Sequence, residues 1–221
     1  MTTAALPRKA LALHITAMAL PLAGWTLHTT VLHHRLTQAN RDPLTGTWRR
    51  AEFTTRAQRL LDRHPGDVVL VLADADHFKV LNDRHGHAAG DAALAAIGTR
   101  LTEWAGPRGV TGRLGGDEFA ALARIEPRHQ ELRLEHLARL MSRPVQYEDG
   151  LLPLGVSLGA ATPAAVGSTD LPTLMRAADA AMYAGKHTGR VIRASAEHAA
   201  VPSVNGRRHG RPGTALPGKA A

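Results

Sequence analysis

The chain has no cysteine among its 221 residues. That excludes disulfides and thiolate metal sites, and it suits a reducing compartment. No internal repeat is present, so the chain reads as one domain with two flanks rather than an array. Lys, Arg, Asp and Glu are all missing from Ala10 to His34, a stretch of 25 residues that exceeds the roughly 20 needed to cross a bilayer. His14, Pro21, Gly24 and His28 dilute its hydrophobicity. Two readings of residues 1–36 stay open: a membrane anchor through residues 10–34, or an ordinary helix that pairs two chains, with Leu32, Leu36 and Ala39 as a dimerising stalk. At the other end, Arg193, Arg207, Arg208, Arg211 and Lys219 face only Glu197 and supply part of the net charge of +8. Residues 192–221, rich in Pro, Gly, Ala and Ser, are expected to be a disordered basic tail. No aromatic residue interleaves those charges, so a specific nucleic-acid partner is not expected.

What the chain does contain is concentrated in Arg113 to Phe119, RLGGDEF, where two glycines run into two carboxylates between short apolar runs. This suits a tight β-hairpin, with strands at 110–113 and 118–124. Gly115 and Gly116 would supply φ freedom and close approach, leaving Asp117 and Glu118 at the bend. Carboxylate oxygens of this kind suit a hard cation such as Mg²⁺, which takes one or two from a protein and completes its shell with phosphates and waters. The plain structural alternative is a surface hairpin with solvated acids.

A second acid cluster lies upstream. Asp67 to Ala73 is continuous, apolar and β-branched, the pattern of a strand buried on both faces. Asp74 and Asp76 then emerge at its carboxyl end, and they share a face only if the strand persists through them. Phe78 would anchor the segment, and Lys79 offers a compact charge for phosphate. Capping of a following helix is the structural alternative for the two acids. Next, Gly86 to Asp91 reads GHAAGD and opens a helical run in which Ala92, Leu94, Ala95, Ile97, Leu101 and Trp104 recur on one face. Asp91 either caps that helix or accepts from the amino and imino groups of a guanine, with Asn82 as its companion.

Together these stretches resemble the GGDEF family of diguanylate cyclases. Asp42 to Arg49, DPLTGTWR, is similar to the family's opening DxLTGLxNR, and Asp74 to Asp83 is similar to its DxDxFKxxND. Gly86 to Asp91 is similar to GHxxGD, Gly115 to Phe119 is the name motif, and Ala178 to Arg190 resembles the closing ADxAMYxAKxxGR helix. The matches fall in family order and cover one domain, set at residues 37–191. The resemblance implies an α+β, ferredoxin-like mixed sheet packed with helices, as in nucleotidyl cyclases and polymerase palms. It implies condensation of two GTP into cyclic di-GMP at a homodimer interface, with Mg²⁺ or Mn²⁺. Asp74, Asp117 and the carbonyl of Ala75 would hold metal, and Asp117, Glu118 and Lys79 would be catalytic. Asn82, Asp91, Gly115, Gly116, Lys186 and Arg190 would bind substrate. A catalytically inactive GTP-binding or partner-binding module is the alternative. Because GTP is cytosolic, the expected location is cytoplasmic, with residues 10–34 as a tether to the inner face of the membrane under the anchor reading.

Two departures from the family pattern carry expectations. Gly185 stands where Ala is usual, and inside a helix it should cost about 1 kcal/mol and fray the end that bears Lys186 and Arg190. The family's inhibitory product site is an RxxD placed five residues before the glycine pair. Gly106 and Gly109 occupy those two positions, so product inhibition through that site is not expected.

Overall fold

The computed structural model describes residues 38–200, together with 25, 26, 28–30 and 32. The expected span at 10–34 therefore lies largely outside the described residues. Among those described, no helix is long and apolar enough to cross a membrane. Residues up to Arg41 and those from Asp42 onward are separate compact units. All the candidate site residues belong to the second.

Its centre is β2 (Val68–Ala75), every residue of which is buried. Alternation along this strand creates two cores. Val69, Val71 and Ala73 face one side with Leu94, Ile97, Leu101 and Trp104 of α3 (His87–Ala105) and Leu134, Leu137 and Met141 of α4 (Gln130–Met141). Val68, Leu70 and Leu72 face the other with Phe53, Ala57 and Leu61 of α1 (Arg50–Arg63) and Leu174, Ala177 and Ala181 of α6 (Leu171–Ala184). A strand covered on both faces has no use for polar side chains, and this accounts for its unbroken apolar run. Helices thus cover both sides of one mixed sheet.

The strand order is β1-β3-β4-β2-β7-β8, with β1 at Trp48–Arg49, β3 at Val110–Arg113, β4 at Glu118–Arg124, β7 at Val156–Ala161 and β8 at Val191–Arg193. β2 runs antiparallel to both β4 and β7, while the outer pairs β1·β3 and β7·β8 are parallel. The hairpin of β3 and β4 has the strand limits that the sequence led us to expect.

Three differences have physical causes. From sequence, 152 to 161 reads as a single strand; in the structure β6 (Gly150–Leu152) pairs with β5 (Val145–Tyr147) in a separate two-stranded sheet, and β7 begins only after Pro153. Proline has no N–H to give to a ladder. A helix absent from the sequence reading, α2 (Phe78–His85), follows β2 and has no fully buried residue, so it left no apolar stripe to read. The disordered tail expected from 192 is corrected for its first residues. β8 and α7 (Ala196–Ala200) are ordered, with Ala194 buried against the α1/α6 core and Arg193 Nη1 2.7 Å from Glu131 of α4. Residues 201–221 lie outside the described part. The four-residue α5 (Pro163–Val166), capped by Thr162, links β7 to α6.

Candidate active site

Asp74 and Glu118 are directly opposed across the antiparallel pair of β2 and β4. Alternation puts both on the α1/α6 side of the sheet, in line with Leu72 and Ala120. The Asp74 carboxylate is nearly buried, at 4% exposure, and its Oδ1 lies 3.1 Å from the ammonium of Lys186, just beyond α6. A carboxylate so far out of water needs such a partner. Glu118 faces Arg50 of α1 at 3.7 Å. The amide of Ala75 donates to the Asp117 carbonyl (3.2 Å), fastening the hairpin bend to the end of β2. The strand stops at Ala75, so the two acids upstream diverge in role. Asp76 accepts from Ser157 Oγ (2.7 Å) and lies 3.2 Å from His187 Nδ1, whose ring stacks on His77 at 4.6 Å.

The bend itself is held by arginines to which the sequence reading gave no role. Arg113 donates from Nε and Nη2 to the Gly116 carbonyl (3.0 and 2.6 Å) and from Nη1 to Asp42 Oδ1 (3.2 Å). Asp42 also accepts from the amide and hydroxyl of Thr45 (2.9 and 2.7 Å). Burial pushes the Asp42 pKa up, but the Thr45 hydrogen bonds and the Arg113 guanidinium outweigh it and hold the pKa below its usual value. Arg50 Nε donates to the Leu114 carbonyl (2.8 Å). Both arginines lie inside or beside motifs already singled out, so the signal was there, without a partner to pair it with.

Gly115 and Gly116 do not use the φ freedom expected of them; among the described glycines a positive φ belongs to residues 46, 86, 106, 167 and 189. Their use is space. A side chain at Gly115 would meet Glu118 Oε2 at 3.2 Å, whereas Gly116 faces open space.

The remaining candidates surround this centre. Lys79 is exposed on the first turn of α2. Arg190 is exposed beyond Gly189, its amide donating to Thr188 Oγ1 (3.3 Å). Asn82 of α2 packs against α3 at Gly90, beside Asp91. Asp91 is exposed and does not cap α3, because that helix begins four residues earlier. Gly185 is not inside a helix: α6 ends at Ala184, and Gly185 is buried where a side chain would meet Ile192 Cγ1 at 2.0 Å. The expected fraying is therefore replaced by a packing role.

Among the described residues no three His, Asp or Glu side chains enclose a metal position. The donor chemistry still fits a hard divalent cation. Asp74, Asp117, Glu118 and the Ala75 carbonyl offer oxygen alone at the end of one strand pair, and Mg²⁺ needs only one or two carboxylates from a protein.

A helix-covered mixed sheet with an acid-bearing hairpin beside its central strand is the palm class of fold found in nucleotidyl cyclases. Within that class, the family model for "Diguanylate cyclase, GGDEF domain" matches residues 39–191, and the chain belongs to this family. It is 48% identical over 174 residues to the uncharacterized 19.3 kDa protein in the repSA 5′ region of Streptomyces ambofaciens, a match covering 79% of this chain and 93% of that one. It is 36% identical to the diguanylate cyclase TpbB of Pseudomonas aeruginosa over 72% of this chain but 38% of TpbB's length. The solved GGDEF domain of TpbB superposes with a TM-score of 0.64 at 30% identity, covering 72% of this chain and 96% of that structure. The coiled coil and GGDEF domain of DgcB from Caulobacter crescentus, solved with c-di-GMP, gives 0.63 at 27% identity, covering 80% of this chain and all of the other.

Proposed function

We propose that this domain is a diguanylate cyclase that joins two GTP into cyclic di-GMP and releases two pyrophosphates. Family membership supports the reaction class. The observation that carries the reading is Asp74 opposed to Glu118 at the glycine bend, with Lys186 3.1 Å from Asp74. Acid and phosphate anchor thus meet at one point on the sheet. Asp74, Asp117 and the Ala75 carbonyl would hold Mg²⁺ or Mn²⁺, which when bound neutralises charge developing at the α-phosphate and lowers the proton affinity of the attacking hydroxyl.

The chain's own residues do the rest. Lys79, Lys186 and Arg190 hold the triphosphate. Asp91 accepts from guanine N1–H and its 2-amino group, and Asn82 meets the opposite edge of the base. Glu118, held by Arg50, accepts the proton of the 3′ hydroxyl, whose oxygen attacks the α-phosphorus of the second GTP as pyrophosphate leaves. Each domain carries one GTP, so two copies must face each other for both phosphodiester bonds to form.

The test is purified full chain with GTP and Mg²⁺ or Mn²⁺, scored for cyclic di-GMP and pyrophosphate, with Asp117→Ala as control. Turnover in the wild type, lost in the variant and rising more than linearly with protein concentration, is the expected result. Equal silence of both at high concentration rejects the enzyme and leaves the inactive GTP-binding module.

A further inference from the structure

The contact between Asn82 and Gly90 carries more than packing. An ideal Cβ at Gly90 would lie 1.9 Å from Asn82 Oδ1, 2.9 Å from its Cγ and 3.1 Å from Phe78 Cζ. The Asn82 amide thus occupies the volume that any other residue at 90 would fill. Its Oδ1 is buried there without a hydrogen-bond partner, and among the described residues it is the only buried side-chain polar atom in that state. An unpartnered acceptor inside a helix pair costs stability, on the order of 1–3 kcal/mol in general. Structure alone therefore gives no reason for an asparagine here. With Oδ1 turned in toward the place of a Cβ at Gly90, the Nδ2 end of this half-buried side chain is left for the outer side of the helix pair, where the next residue of α3, Asp91, is exposed.

That orientation has a chemical consequence. Along its N7/O6 edge guanine offers acceptors alone, whereas adenine puts an amino donor at the corresponding position. An amide held with its N–H₂ outward complements the first and opposes the second. On the reading given under Proposed function, we infer that Gly90 is a specificity-determining positioning residue. The missing Cβ at 90 locks the Asn82 amide with its donor toward the base, and so fixes preference for a guanine nucleotide.

The clash falls on the far end of a side chain, not on backbone, and Gly90 lies inside α3, where alanine is intrinsically the better helix former. Gly90→Ala should therefore fold with a melting temperature equal to or above that of the wild type, while its Asn82 amide is displaced. In the full chain, binding of GTP and ATP is measured by calorimetry for the wild type, Gly90→Ala, Asn82→Ala and the double variant. Gly90→Ala is expected to lose about ten-fold in GTP affinity, the scale of one lost hydrogen bond to the base, with ATP unchanged. The double variant should bind GTP no more weakly than Asn82→Ala, since both routes end in the same missing contact.

A folded Gly90→Ala with wild-type GTP affinity overturns the inference while leaving the nucleotide site intact. So does a double variant with the two losses added, because Gly90 would then act by another route. If Gly90→Ala does not fold, the clash is not confined to the Asn82 tip, and the inference fails on that ground. A wild type that binds no GTP overturns the site reading and this inference with it.

Discussion

Replacing Arg113 with alanine should loosen the acid-bearing bend and slow the reaction far more than it unfolds the domain. Three N–H groups of one guanidinium are lost: two to the Gly116 carbonyl, at 3.0 and 2.6 Å, and one to Asp42, at 3.2 Å. Hydrogen bonds to a charged group contribute about 1.5–3 kcal/mol each, but bonds from one guanidinium, two of them to a single carbonyl, do not add, so about 2–3 kcal/mol is expected in total. Arg113 and Asp42 are each only 18% exposed, and solvent screens the pair in part. For a domain of this size, that is a fall in melting temperature of about 5–10 °C. The effect on turnover is larger, because a catalytic group displaced by 1 Å can cost roughly 100-fold. Arg113→Lys keeps the charge but not the fork and should fall between. The pH dependence follows from Asp42. Its folded pKa lies below the usual 3.8, so its contribution is present above 3.8 and fades as pH falls through the folded value. Melting curves from pH 4 to pH 8 should keep a constant gap between wild type and Arg113→Ala, narrowing only below about pH 4. A variant with unchanged turnover and a melting temperature within 2 °C of wild type, on the scale of the ~5–10 °C expected, would refute the clamp.

Gly185→Ala, usually a favourable exchange near a helix end, should destabilise by about 1–3 kcal/mol, because its Cβ would sit 2.0 Å from Ile192 Cγ1. Adding Ile192→Ala should recover part of the loss in chemical denaturation, and a Gly185→Ala variant more stable than wild type would contradict this. Initial rates measured with added cyclic di-GMP should show no noncompetitive inhibition through the RxxD positions. Grafting Arg at 106 and Asp at 109 should not create it, since Gly106 has a φ of +71° and a Cβ at Gly109 would meet the Ala105 carbonyl at 2.5 Å. Strong noncompetitive inhibition of the wild type would sink that expectation.

Much of the fold was legible because burial writes itself into sequence. β2 reads as a strand covered on both sides, α3 carries a long apolar face, and the β3–β4 hairpin is bracketed by glycines and acids. The elements that escaped bury little: α2 has no fully buried residue, and β1 and β8 are two and three residues long at the sheet's edges. Asp74 and Glu118 could be named from their motifs, but their register could not, since pairing across β2 and β4 is a property of the sheet. The arginines were hidden for a related reason. Arg50 reaches a carbonyl 64 residues away and Arg113 a carboxylate 71 residues away, and a long flexible side chain leaves no periodic trace of where it ends.

Glycine is where sequence and structure part most instructively. At 115 and 116 glycine was expected to give φ freedom and close approach, and at 185 to weaken a helix; neither 115 nor 116 uses a positive φ, and 185 lies outside the helix. Gly116 keeps open space at the bend, Gly185 admits Ile192, and Gly90 admits the Asn82 amide. At 185 and 90 the residue matters for the atom it lacks. Backbone propensity measures what glycine does to its own chain, and it says nothing of which neighbour moves into the vacated volume. An alanine at each of the three positions therefore separates the two accounts. Propensity predicts gains in helical settings and little elsewhere, whereas close approach predicts a loss at 185, a change in nucleotide preference at 90, and at 116 weaker binding of whatever lies along the bend, with stability unchanged.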